Sequence, residues 1–224
     1  MDNIFSNTDY LKRNVEKDLG DEPQYSPMDP PDAYRPPNLE VVPYEALPAF
    51  LKHLTDEHKL ISAELEKFEA TLLEIRKEGV NKERNNRLGD FFKFLDETIV
   101  LHHLKEERIL FPVLHDKLIE IGEKSTGDIP ETAVDMLEND HIKTMQLTTL
   151  AFSLMGISSR LTDISSRALL IDTSIEQSNL LIELLRLHIF REENVVFPLA
   201  VKHLNEKDFN LMNIKMFKYF SEQI

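Results

Sequence analysis

His102-His103-Leu104-Lys105-Glu106-Glu107-Arg108-Ile109-Leu110-Phe111-Pro112 and His188-Ile189-Phe190-Arg191-Glu192-Glu193-Asn194-Val195-Val196-Phe197-Pro198 follow one pattern, His-x3-Glu-Glu-x3-Phe-Pro. A shift of 86 residues carries the first stretch onto the second. A His and a Glu four residues apart share one face of a helix. On a lone helix such a pair is ordinarily a solvated contact of a few tenths of a kcal/mol. Here both copies lie on apolar stripes. Leu95, Ile99, Ile109 and Val113 surround the first, and Leu181, Leu185, Val195 and Leu199 take the same places around the second. Burying such groups without partners is very costly, and a shared metal removes that cost.

The repeat extends upstream. A shift of 83 carries Leu54, Glu57 and His58 onto Leu137, Asp140 and His141. The body is therefore two copies of a helix hairpin, each with one His on its first helix and a His-x3-Glu on its second. The fold class expected is all-α, an up-down-up-down four-helix bundle. His58 and His141 each fall about ten residues, or ~15 Å, into their helices, so all the donors can meet in one layer. Candidate metal ligands are His58, His102, Glu106, His141, His188 and Glu192. Alignment on the Phe-Pro pairs selects His102 rather than His103. His103 and Glu107, about 100° further round the helix, are expected to be exposed or to support the ligands. His53, His115 and His203 lack repeat partners and read as surface or packing residues.

Four imidazoles and two carboxylates are too many for one tetrahedral zinc and too nitrogen-rich for calcium or magnesium. They suit two first-row metals bridged by both carboxylates, with room for an oxo or hydroxo bridge and one small molecule. Metal identity within that row is set also by availability and loading, which favour iron over manganese or zinc. Four neutral donors compensate little metal charge. This favours the diferrous state, and so binding or reduction of O2, NO or peroxide over oxidation of strong C–H bonds. Thr144, Met145 and Thr148, just beyond His141, are expected to line a pocket.

Around this body the composition sets bounds. The 224 residues carry a net charge of −14, which opposes nucleic-acid and anionic-membrane partners. The absence of Cys excludes disulfides, thiolate zinc and iron–sulfur clusters. No run approaches ~20 apolar residues, and no signal-like segment opens the chain, so a cytoplasmic location is expected. Residues 1–48 hold eight of the 11 prolines and read as an extended arm, with a short helix near residues 8–18 and Tyr25, Tyr34, Val41, Val42 and Tyr44 as candidate anchors. The bundle is expected over 49–204. Residues 205–224, with Phe209, Met212, Met216, Phe217 and Phe220, read as a short helix packed on it. Gly79 and the polar run 81–86 should end the first helix, and Pro112 should kink or shorten the second.

Together the stretches DEHKLI, HHLKEERILFP, ENDHIKTM and HIFREENVVFP, spread over residues 50–201, resemble the hemerythrin-like, or HHE cation-binding, family. The resemblance implies a four-helix bundle around a non-haem di-iron centre. Implied functions are oxygen carriage, oxygen or iron sensing, peroxide breakdown, and repair of iron centres under oxidative or nitrosative stress. The same six residues would be the iron ligands, with Glu106 and Glu192 bridging. Two departures separate this chain from the family's oxygen carriers: Met145 stands where they have a further His, and Glu192 where Asp is usual. The four-His, two-Glu set is similar to the repair and peroxide-handling relatives. A donor from outside the pattern, such as Tyr44 or His53, would restore asymmetry.

Overall fold

A computed structural model describes residues 41–126 and 130–220, excluding the side chain of Phe220. The expectations for residues 1–40, including the short helix near 8–18, lie outside the described residues. Among the described residues all regular structure is helical. After a single 3-10 turn at Tyr44–Ala46, α1 runs Ala49–Glu78, α2 over 82–121, α3 Ala133–Ser158, α4 over 164–203 and α5 Glu206–Phe220.

Local chemistry sets these limits. Gly79 ends α1 at φ +79°, a backbone region that L side chains rarely adopt, while its N–H reaches Ile75 O at 2.8 Å. Asn81 then starts α2 by accepting the Arg84 N–H at 2.8 Å. The polar run is thus the solvated first turn of α2, not a linker. Gly122 closes α2 in the left-handed region at φ +80°. Thr132 and Asp135 form a capping box at the start of α3, and Asp163 caps α4 through the Ser166 N–H.

Pro112 does not break α2. The helix widens into a π turn over Glu106–Leu110, where the Phe111 N–H reaches five residues back to Glu106 O. The same device spans Glu192–Val196 in α4, with the Phe197 N–H on Glu192 O. Widening the turn relieves the proline ring of its clash with the preceding carbonyls, and the helix continues through it. A third π turn, Leu95–Ile99, occurs in α2 alone.

Short connections make sequential helices antiparallel neighbours. α1 packs on α2 and α4, and α3 lies along α4. One half of the bundle is apolar: Phe68 and Phe91 stack with ring centroids 3.6 Å apart, among Leu72, Ile75, Leu95, Ile175 and Leu181. Each fully buried side chain of this size contributes roughly 1.5–3 kcal/mol. The donor-bearing residues occupy the other half. Phe209 and Met212 of α5 are buried there, and α5 touches α1 and the π turn at Glu106–Leu110.

Candidate metal centre

The six residues singled out by the repeat come together on the inner faces of α1 to α4. All six are buried, with Glu106 and Glu192 wholly enclosed. Their donor atoms form two overlapping sets. His58, His102, Glu106 and Glu192 lie within 4.8 Å of one another, as do His141, His188, Glu106 and Glu192. Each carboxylate faces both sets. Glu106 Oε1 is 3.2 Å from His102 Nε2 and Oε2 is 3.4 Å from His141 Nε2. Glu192 Oε2 is 3.0 Å from His58 Nε2 and Oε1 is 3.3 Å from His188 Nε2.

The outer nitrogens are held by acids. His58 Nδ1 is 2.9 Å from Glu193 Oε1, His102 Nδ1 is 3.0 Å from Glu57 Oε2 and His141 Nδ1 is 2.8 Å from Glu107 Oε1. These carboxylates fix a proton on Nδ1 and leave the inner Nε2 as a bare lone pair in the neutral ring. Yet the Nε2 atoms of His58 and His102 approach to 3.1 Å, as do those of His141 and His188. Facing lone pairs at that distance repel unless a cation lies between them. Moreover, all four oxygens of Glu106 and Glu192 are buried without a well-formed hydrogen bond among the described residues. Neighbouring donors on a metal with bonds of about 2.1 Å lie about 3 Å apart, the spacing seen throughout this cluster.

The supporting layer repeats with the ligand layer. Glu57 pairs with Lys105 and His53, while Asp140 pairs with Arg191. The repeat matched Glu57 to Asp140 but did not reveal their role, nor that of the Lys105–Arg191 match. Phe197 stacks on His58 at 5.7 Å and Phe111 on His141 at 5.6 Å, which explains the Phe of each Phe-Pro pair.

Charge follows this geometry. Burial opposes protonation of His102, but Glu106, Glu192 and Glu57 outweigh it and raise its pKa well above the usual value. Burial likewise opposes a charge on His188, where Glu192 and Asp140 push the pKa up to about 10. Burial would raise Glu57; His102, His53 and Lys105 instead hold it far below the usual carboxylate range. Glu192 also stays well below that range despite its burial, chiefly through His188, His102 and His58. The site thus attracts positive charge, whether protons or a metal.

Of the two places expected for His103, solvent or support of a ligand, the structure rules out the first. His103 is neither exposed nor on an outer face: its ring stacks on His141 at 3.8 Å between centroids and meets His188 edge-on at 5.2 Å. Burial, and then the neighbouring imidazoles, push its pKa well below the usual value. Glu107 does support a ligand, through His141. Met145 is 43% exposed and does not line the centre, whereas Thr144 and Thr148 are buried beyond His141. Tyr44 is an exposed partner of Asp56, and half-exposed His53 contacts Glu57; neither belongs to a metal-holding group. His115 caps the start of α3 through Thr132 and Asp135.

The Hemerythrin HHE cation binding domain family matches residues 49–200, more than half of the chain. The chain belongs to the hemerythrin HHE family. No curated protein and no solved structure matches it. The match spans every donor in both sets, so this hemerythrin-family bundle carries a His/Glu cluster able to hold a metal. Among the described residues, no helix is long and apolar enough to cross a membrane.

Proposed function

We propose that this hemerythrin-family chain holds two iron ions, one between His58 and His102 and one between His141 and His188, with Glu106 and Glu192 shared. We further propose that the centre binds, senses or reductively handles a small oxidant: O2, NO or peroxide. The observation that carries this reading is the pair of Nε2···Nε2 approaches at 3.1 Å around carboxylates whose oxygens lack hydrogen bonds. Iron held there would supply electrons and an open coordination place for a small molecule.

The protein's own residues set the conditions. Glu193, Glu57 and Glu107 fix the imidazole tautomers and aim each Nε2 inward. Phe111 and Phe197 cover His141 and His58 and keep bulk water from the donors. Enclosure of Glu106 and Glu192 favours a ligand of two or three atoms over a larger substrate. A cavity of about 480 Å³, lined by Ile75, Leu88, Met155 and Ile171 among others, holds none of the six donors.

A second reading, a metal sensor or structural metal without turnover, is favoured by the spread of donors over all four bundle helices, which makes the metal a cross-link of the fold. Anaerobic loading of the full chain with Fe(II), elemental analysis, and optical spectra under O2, NO and peroxide test the first reading. Two irons per chain, a spectral response and steady-state consumption of one oxidant are expected. A response without consumption would favour the sensor, full loading with no response would favour the structural metal, and substoichiometric iron with no response would defeat the di-iron reading.

A further inference from the structure

The duplicated frame predicts equal halves, yet one residue breaks the match at the centre. Residue 103 is His, and the shift of 86 that carries His102 onto His188 carries His103 onto Ile189. One hairpin therefore places an extra imidazole where the other places a hydrocarbon.

Three observations point that imidazole at the α3–α4 half. A His103 nitrogen lies within 4.8 Å of donor nitrogens of both His141 and His188. Its ring contacts both of theirs, at 3.8 and 5.2 Å between centroids, while His102 is further away at 5.9 Å. It is buried, and it makes no hydrogen bond to any described residue, unlike His58, His102 and His141. The Ile at the matching position shows that a hydrocarbon fits such a place in this frame, so packing alone does not call for an imidazole there.

We propose that His103 is a fifth imidazole donor, giving the metal between His141 and His188 a third nitrogen that the metal between His58 and His102 lacks. This rests on the dinuclear reading above. Opposite donors on a six-coordinate ion with bonds of about 2.1 Å lie about 4.2 Å apart. The His103 nitrogen, within 4.8 Å of donor nitrogens of both His141 and His188, lies close to that range, and a turn of its ring out of the stack would aim its lone pair between them. The two metals then differ in donor count, and the open place falls to the half held by His58 and His102.

The test is stepwise Co(II) binding by the full chain against a fluorescent chelator, with the Co(II) visible spectrum as a second readout. It compares wild type with His103→Ile, the residue of the other hairpin, and His103→Gln, which keeps most of the bulk. Far-ultraviolet circular dichroism before metal addition checks that each variant is folded. Wild type is expected to bind two Co(II) per chain. In both variants one Co(II) should bind as in wild type, and the other should weaken by about 10–100-fold. The spectrum of the weakened metal should intensify as its donor count falls. Unchanged binding of both metals, or equal weakening of both, would overturn the proposal by reducing His103 to a packing role. A wild-type chain that binds fewer than two Co(II) would overturn the dinuclear reading and this proposal with it.

Discussion

The half of the centre built by α1 and α2 and the half built by α3 and α4 agree closely in their innermost atoms and diverge one layer out. Both bring two Nε2 atoms to 3.1 Å, have the His of their first helix covered by a Phe ring from the other hairpin, and pair an acid with a basic residue behind. The divergence begins with the length of one side chain. Glu57 reaches His102 Nδ1 at 3.0 Å, whereas Asp140, one methylene shorter, stops 3.8 Å from His188 Nδ1 and leaves that nitrogen without a direct hydrogen bond. The imidazole of His103, although borne by α2, lies against the α3–α4 half. Positions where both hairpins converge on shared carboxylates leave little freedom, whereas positions behind them can differ and make the two halves chemically unequal.

The sharpest way to break the equivalence is to remove what the halves share. Glu192→Ala should strip both metals, taking content from two per chain to near zero by elemental analysis, because each oxygen serves one half. His102→Ala should empty mainly one half and leave about one metal per chain; loss of both would mean that the halves do not load separately.

Acidity comes next. The pKa of His188 is raised, so its protonated form stabilises the metal-stripped fold fully below the unfolded value of about 6.5, and that contribution is lost as pH rises towards about 10. Thermal melts of chelator-treated protein should therefore fall in midpoint between pH 7 and 10. Loading at pH 7 should release protons into a weakly buffered indicator. A melting midpoint that stays flat across this range would contradict the charge placed on His188.

Smaller effects sharpen the difference in the outer layer. Glu57→Ala should weaken one metal by about 10–100-fold, whereas Asp140→Glu should tighten the other by restoring the reach to His188, both read by chelator competition. The smallest effect is expected at His203, outside both halves. His203→Ala should leave metal content unchanged, and a loss there would mean that the centre is wider than the two sets described.

Much of this was legible because two periodicities coincide. Helical spacing put His58, core positions such as Ile61 and Leu65, and the His-x3-Glu pairs on inward faces, and the repeat supplied the pairing of hairpins. The place of His103 was not legible, because a step of about 100° leaves the face of a single ligand but not the interior of a four-helix bundle. From α2, His102 faces α1 and His103 faces α3, so adjacent residues both look inward at different partners. The passage of α2 through Pro112 was hidden for another reason: helix periodicity carries no signal for a π turn that absorbs the ring. Pairing of Lys105 and Arg191 with the acids behind His102 and His188 depends on distances between helices, which spacing along one helix does not give.

The widened turns at Glu106 and Glu192 bear on which length changes the chain can tolerate. Each accommodates one residue beyond ordinary helical winding, just before the aromatic lids. Deleting Arg108 or Asn194 would let the turn revert to ordinary winding, and because four residues at about 100° each cover nearly the rotation of five in the wider turn, everything downstream would keep its facing. The lid would then still face its imidazole, but the proline ring would again press on the preceding carbonyls. In these two helices, the spare residue serves the ring of the proline and not the direction of the roof.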